Sequence, residues 1–397
     1  MSSRAVTGRL RRLVLPMAVT GALAGALVAV PGLSRAASQP GWRVVAVLRE
    51  NTSQLNGTLL SNVAATGPDN AWLAGTYCTN SDCKRSTLLV QHWTGKAWQV
   101  IAVPTADKNS ATEYSAAGVA ASSAASAWVL NDVGTYQKYS TNVLHWTPKG
   151  WGTPVKFPAA LTAVVAPLAK RAWVFGANAV GTPYAATFNG TKWSQVTVPV
   201  AGNSASATTA GNIWVIGTAA SSGAIGIMKF NGTAWRTTPL PSLGLSSSQE
   251  AVATGIAAAS TKNVWATGYI MDTSVEIDPP SKPFLLHWNG AKWTAIKVPK
   301  LPADSIWANV NVTQDGHGGA WLDATTIALS GAQQGYLLHY SGGAWSRVTA
   351  PAVAGDFTEP GALTWIPGTR SVWGAGEDSL VQPNLNGYPA VVLKYGA

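Results

Sequence analysis

From residue 41 to the end of the chain, apolar residues come in short runs that alternate with small or polar ones, and turn residues bound each run. Alternation with period two marks a strand with one buried face, whereas a helix places apolar residues every three or four positions over a longer stretch. No helical period of useful length occurs in this region. The pattern predicts an all-β fold.

The runs also repeat. One motif sets a small or turn residue before Trp, then an apolar pair and often Gly. It occurs at Trp72 (AWLAG), Trp128 (AWVLN), Trp173 (AWVFG), Trp214 (IWVIG), Trp265 (VWATG), Trp321 (AWLDA) and Trp373 (VWGAG). A second motif joins an aromatic to a Trp five residues on, across a Gly-rich turn: Trp93/Trp98, Trp146/Trp151, Phe188/Trp193, Phe230/Trp235, Trp288/Trp293 and Tyr340/Trp345. Alternating sequence then leads to a closing Pro, as at Pro104, Pro199 and Pro299. Each unit reads as four strands: a small-residue strand a, strand b with the first Trp, strand c with the aromatic, and strand d with the second Trp. Asn-Gly between alternating runs is a strong hairpin signal. Four strands in a unit of roughly fifty residues is the β-propeller pattern.

The ends settle the blade count. The last unit stops after strand c, at Tyr395, and Trp42-Arg43-Val44-Val45 reads as a strand d with no strand c before it. Joined, they make a seventh blade and remove the last open sheet edges. The expectation is a single-domain, seven-bladed propeller of four-stranded blades over 37–397, closed by the N-terminal strand completing the C-terminal blade.

Composition agrees with this architecture. With 47% hydrophobic residues, 11% charged and 19 Trp, the chain is neither a disordered segment nor a coiled coil. Seventeen of the Trp fall on strands b, c or d, where large flat rings pack neighbouring blades. Trp307 and Trp365 are left over.

The formal net charge of +10 is uneven. Residues 1–36 hold five arginines, no acid, and an apolar stretch from Leu13 to Leu33 that ends in Ser34-Arg35-Ala36. This reads as a signal peptide cleaved before Ala37, giving a secreted, extracellular chain with no stable membrane insertion. Without those arginines, 22 bases face 17 acids. The remaining bases are scattered along the sequence, so no nucleic-acid partner is expected. In an exported chain, Cys78 and Cys83 are expected to form a disulfide; as a metal pair they lack a local His.

The layout resembles the kelch and galactose-oxidase-like propeller superfamily over residues 41–397: an aromatic on strand c, a Trp on strand d and a Pro closing the unit. Kelch units carry Gly-Gly after strand b. Here a single Gly stands there, at Gly75, Gly176, Gly217, Gly268 and Gly376. The turn between the two aromatics is also shorter than in kelch units. The copper chemistry of galactose oxidase needs His and Tyr ligands and a thioether-forming Cys, which neither Cys78 nor Cys83 supplies. The resemblance implies fold, and no catalytic residue carries over.

Candidate chemistry is sparse. His92, His145, His287 and His339 precede the strand c residue in four blades, positions spread around a ring and so read as structural. Asp272, Glu276 and Asp278 share the b–c insertion of blade 5. They are candidates for Ca²⁺ binding or for an acid/base pair in glycoside cleavage, set against a plain solvated loop. No other cofactor or metal is expected. The a–b and c–d turns are tight, while the d–a and b–c connections are long and varied, so binding is expected on the long-loop face. That face carries Tyr77, Tyr114, Tyr136, Tyr269 and Tyr388, with Trp307 as the candidate Trp for binding. The reading favoured is a monomeric, secreted, non-catalytic propeller that binds an extracellular glycan or protein partner there. The alternatives are an extracellular carbohydrate-active hydrolase or lyase, and a structural cell-envelope interaction module.

Overall fold

A computed structural model gives the three-dimensional structure. It describes residues 41–48, 58–78, 86–104, 113–135, 138–274, 281–300, 305–328, 333–351, 353, 358–378 and 390–396. Glu276, Asp278, Tyr136, Tyr388 and Cys83 lie outside the described residues, as do the side chains of Trp307 and Cys78. The compact unit runs from Pro40 to Ala397.

The strands form seven antiparallel sheets. Blade 1, for example, is strand a Thr58–Gly67, strand b Asn70–Cys78, strand c Ser86–Trp93 and strand d Trp98–Val100. Blade 4 is Val200–Thr209, Asn212–Ala219, Ile225–Phe230 and Trp235–Thr237. In blade 2 the outer strand is split into Gly150–Trp151 and Val155–Lys156, both paired with strand c. Pro154, with no N–H to give the ladder, sits in the break. Blade 7 joins Thr358–Trp365, Val372–Asp378 and Ala390–Tyr395 to Trp42–Leu48, with Trp42 opposite Tyr395. The ring closes through the N-terminal strand, as the sequence predicts.

The buried apolar residues fall into seven clusters, one at each interface between neighbouring blades. Each strand b Trp packs against the aromatic pair of the following blade. Trp128 meets Phe188 and Trp193 at 5.1 and 5.4 Å, and Trp321 meets Tyr395 and Trp42 at 4.6 and 5.3 Å. The second of these contacts crosses the closure. The four His stack on the strand b Trp of their own blade, His145 on Trp128 at 3.7 Å and His339 on Trp321 at 4.2 Å. Their Nε2 atoms bond the a–b turn: His92 to Asn70 at 2.6 Å, His145 to Ser126 at 3.1 Å, His287 to Asn263 and His339 to Asp315 at 2.9 Å each. In blades 4 and 7 a Lys takes that place, Lys229 and Lys394 lying 4.9 and 5.3 Å from the ring centroids of Trp214 and Trp373.

Candidate functional site at the long-loop end of the channel

The seven strands a converge on a central channel of about 430 Å³. Convergence requires small side chains, which is why strand a is rich in Ala, Gly, Ser and Thr. Neighbouring strands a do not pair as a sheet, and side chains link them instead. Ser61 Oγ and Asn62 Nδ2 donate to the Ala116 carbonyl at 3.2 and 3.1 Å, and Asn203 Nδ2 to Ala253 at 3.1 Å. Thr162 bonds Gly202, Thr254 bonds Val310, and Asn311 Nδ2 donates to Gly361 at 2.9 Å. The channel wall is therefore uncharged and hydrogen-bonding.

Each strand a also carries a β-bulge early in its course, near the long-loop end. The single Gly of strand b explains its close fit. A Cβ at Gly176 or Gly217 would overlap the carbonyl oxygen of Ala160 or Ala201 on strand a. At these two positions a residue with no side chain is what lets the backbones approach that far. In blade 6, where Ala324 replaces the Gly, the bulge moves two residues earlier; blade 2 keeps it in place opposite Asn131.

Charge concentrates at this end of blades 6 and 7. Asp323, on strand b of blade 6 (Ala320–Ala328), is fully buried directly behind the channel wall. Its Oδ1 accepts the Asn311 backbone N–H at 2.6 Å, and Asn311 itself lines the channel. Burial pushes the Asp323 carboxyl up to about 7, Asn311 pulls it back, and the nearby Glu359 charge adds to the rise. Glu359 and Glu377 face each other across strands a and b of blade 7. Burial, then the Glu359 charge, raises Glu377 to about 7 as well. Burial and a neighbouring negative charge both disfavour the ionised carboxylate, which is why Asp323 and Glu377 are raised. Among the described residues, the interface between blades 6 and 7 also has the smallest apolar core of the seven. Among the described residues no three His, Cys, Asp or Glu side chains are placed to hold a metal ion.

Of the residues singled out in the sequence, Tyr77, Tyr114, Tyr269, Asp272 and the backbone of Trp307 are described, and they lie toward the long-loop ends of their strands. Tyr114 is 5% exposed and belongs to the core, and its backbone exchanges hydrogen bonds with Ser86 Oγ. Tyr77 is half-buried against the core of the blade 7–blade 1 interface, and Tyr269 is half-buried on strand b of blade 5. The backbone of Trp307 is the third residue of strand a in blade 6 (Ser305–Gln314). Asp272 accepts Ser274 Oγ at 2.6 Å and the Ser274 N–H at 3.0 Å, and these bonds hold its carboxyl below the ordinary value. It caps a turn. Asp132, on strand b of blade 2, accepts Thr141 Oγ1 at 2.6 Å; burial raises its carboxyl and that bond offsets part of the rise.

Asp323, Glu359 and Glu377 were not legible as a site. A signal was present in AWLDA: strand b is buried on both faces, so any carboxylate two residues after its Trp must be buried with it. Their mutual proximity has no counterpart in sequence spacing.

No family model matches the chain, and no curated protein matches it. Solved structures do. The chain is similar to the β-propeller domain of Cps50 (Swd1) from Myceliophteria thermophila, at 11% identity over 88% of this chain and 99% of that one, with a TM-score of 0.51. It is likewise similar to a protein of unknown function from Dyadobacter fermentans, at 11% identity over 90% of this chain and 100% of that one, TM-score 0.50. The chain folds as a β-propeller. A weaker likeness is to the SapL1 lectin solved with alpha methyl fucoside, at 15% identity over 75% of this chain and 96% of that one, TM-score 0.44. At such identities the likeness is one of fold, and no superfamily within the propellers is singled out.

Proposed function

We propose that this is an exported propeller that binds a neutral or weakly basic glycan at the long-loop end of its channel, without turning it over. The observation that carries the reading is the half-buried Glu359–Glu377 pair beside a hydrogen-bonding channel. Carboxyl groups there accept or donate hydrogen bonds to sugar hydroxyls, and a rigid hub fixes their positions. Tyr77, Tyr269 and Trp307 are the aromatic residues proposed to flank the sugar, and the basic, apolar leader at residues 1–36 supports export.

One observation favours a second reading, hydrolase or lyase action on carbohydrate. A half-buried carboxyl raised to about 7 beside a second carboxylate is a general acid in waiting. Screening the purified protein on a neutral glycan array, then assaying bound sugars for new reducing ends or unsaturated products, separates the two. Retention of an intact glycan that weakens at least about tenfold in E359Q or E377Q is expected, as for loss of a charged hydrogen-bond partner. Product formation abolished by E377Q moves the assignment to the enzyme reading. Binding unaffected by either change removes the site.

A further inference from the structure

The face opposite the long loops carries a field that the linear sequence hides. Antiparallel order sends every a–b turn and every c–d turn to one end of the propeller. The c–d turns bring Lys96, Lys149, Lys192 and Lys292 to that end, and the a–b turns bring Lys170, Arg171, Lys262 and Arg370, all exposed. The two turns of a blade lie side by side. A Cβ on Gly190, in the turn holding Lys192, would touch Lys170 at 3.3 Å, and one on Gly290, beside Lys292, would meet Lys262. Turns that each carry a base are thus neighbours within blades 3 and 5.

Compensation is slight. Among the described residues the acids at this end are Asp69 and Asp315. Asp315 is buried and committed to His339 and to the backbone N–H groups of His317 and Gly319. Among the described residues none of the eight turn bases forms an ion pair. Asp69 lies against the turn that holds Lys96, and the remaining excess of positive charge repels itself and draws polyanions.

We propose that this turn face binds an acidic polysaccharide, a sugar chain bearing repeated carboxylate or sulfate groups. Lysines on flexible stems around a flat ring suit a polymer of spaced point charges better than a single compact anion. A membrane surface fits less well, because Leu168 is the one exposed large apolar residue at this end among the described residues. Unpaired nucleic acid fits less well too, since the turns hold no Trp, Tyr or Phe on which bases would stack. The assignment does not depend on the long-loop site.

The test measures binding of the purified protein to dextran sulfate, polygalacturonate, neutral dextran, duplex DNA and phosphatidylglycerol vesicles over a salt series. Both acidic polysaccharides are expected to bind, neutral dextran not, with affinity falling steeply between about 50 and 200 mM salt, as for other polyanions. Lys96→Gln, Lys149→Gln, Lys192→Gln and Lys292→Gln combined should weaken binding at least about tenfold and flatten the salt dependence. The same change at Lys282 and Lys300, near the other end, should not. All are exposed, so an unchanged melting temperature shows that the variants fold. Unaltered binding by the fourfold variant, no binding of either polyanion at low salt, or tighter capture of DNA or vesicles through the same lysines would each overturn the proposal.

Discussion

At the scale of single residues, Asp323 has the clearest physical consequence. It is fully buried, and its carboxyl rises from 3.8 to about 7. Between about pH 4 and 7 the folded protein therefore keeps a proton that the unfolded chain releases. The group's contribution to stability is complete below about pH 4 and is lost as pH rises to about 7. The imidazoles of His92, His145 and His287 work the other way. Burial pushes them below 6.5, so they favour unfolding as the solution becomes more acid. Comparing wild type with D323N isolates the carboxyl. In urea unfolding, the stability of wild type relative to D323N should fall by on the order of 2–4 kcal/mol between pH 4 and pH 8. A difference that does not change with pH would mean that Asp323 is ionised throughout.

At the scale of elements, five of the seven blades pair a bulged strand a with a glycine in strand b. Gly217→Ala drives a methyl group into the Ala201 carbonyl, which moves only if the bulge moves. A loss of about 3 kcal/mol is expected, read from the midpoint of chemical denaturation. Gly67→Ala is the counterpart: nothing lies within 4 Å of a Cβ there. That change should be neutral or stabilise by about 0.5 kcal/mol, through loss of unfolded-chain freedom. Equal effects at the two positions would remove the close-approach account of the repeated Gly.

At the scale of the whole molecule, the two features with consequences are the closure of the ring and the pattern of charge. Strand d of blade 7 comes from the other end of the chain, and its Trp42 fills the aromatic position against Trp321 of blade 6. Arg43 ties the same strand to the Gly396 carbonyl. Trp42→Ala is expected to cost about 3 kcal/mol by thermal or chemical melting. Removing Trp42–Leu48 leaves Ala390–Tyr395 as an open edge and should add concentration-dependent aggregation, visible by size-exclusion chromatography. A truncated chain that stays monomeric and melts like wild type would place closure elsewhere. Among the described residues, bases gather on the turns and buried or half-buried carboxyl groups gather toward the long-loop end of blades 6 and 7.

How much was legible differs between fold and site. Period-two alternation, Asn-Gly turns and the recurring Trp are local properties, and each blade is a local unit, so blade count, strand order and the closing strand were readable in one dimension. That the four His are structural was readable for the same reason; that each stacks on the Trp of its own blade was shown by the structure. The acid cluster was not: Asp323, Glu359 and Glu377 meet only because strand a of one blade packs behind strand b of the one before it. Nor was the basic face. Bases that look scattered along the chain occupy turns, and antiparallel order gathers turns from far apart in sequence onto a single surface. The sequence by itself thus determined the repeat, because hydrogen-bonded hairpins and buried indoles act between near neighbours. Which charges share a surface was decided only by tertiary structure, because electrostatic proximity depends on distance through space.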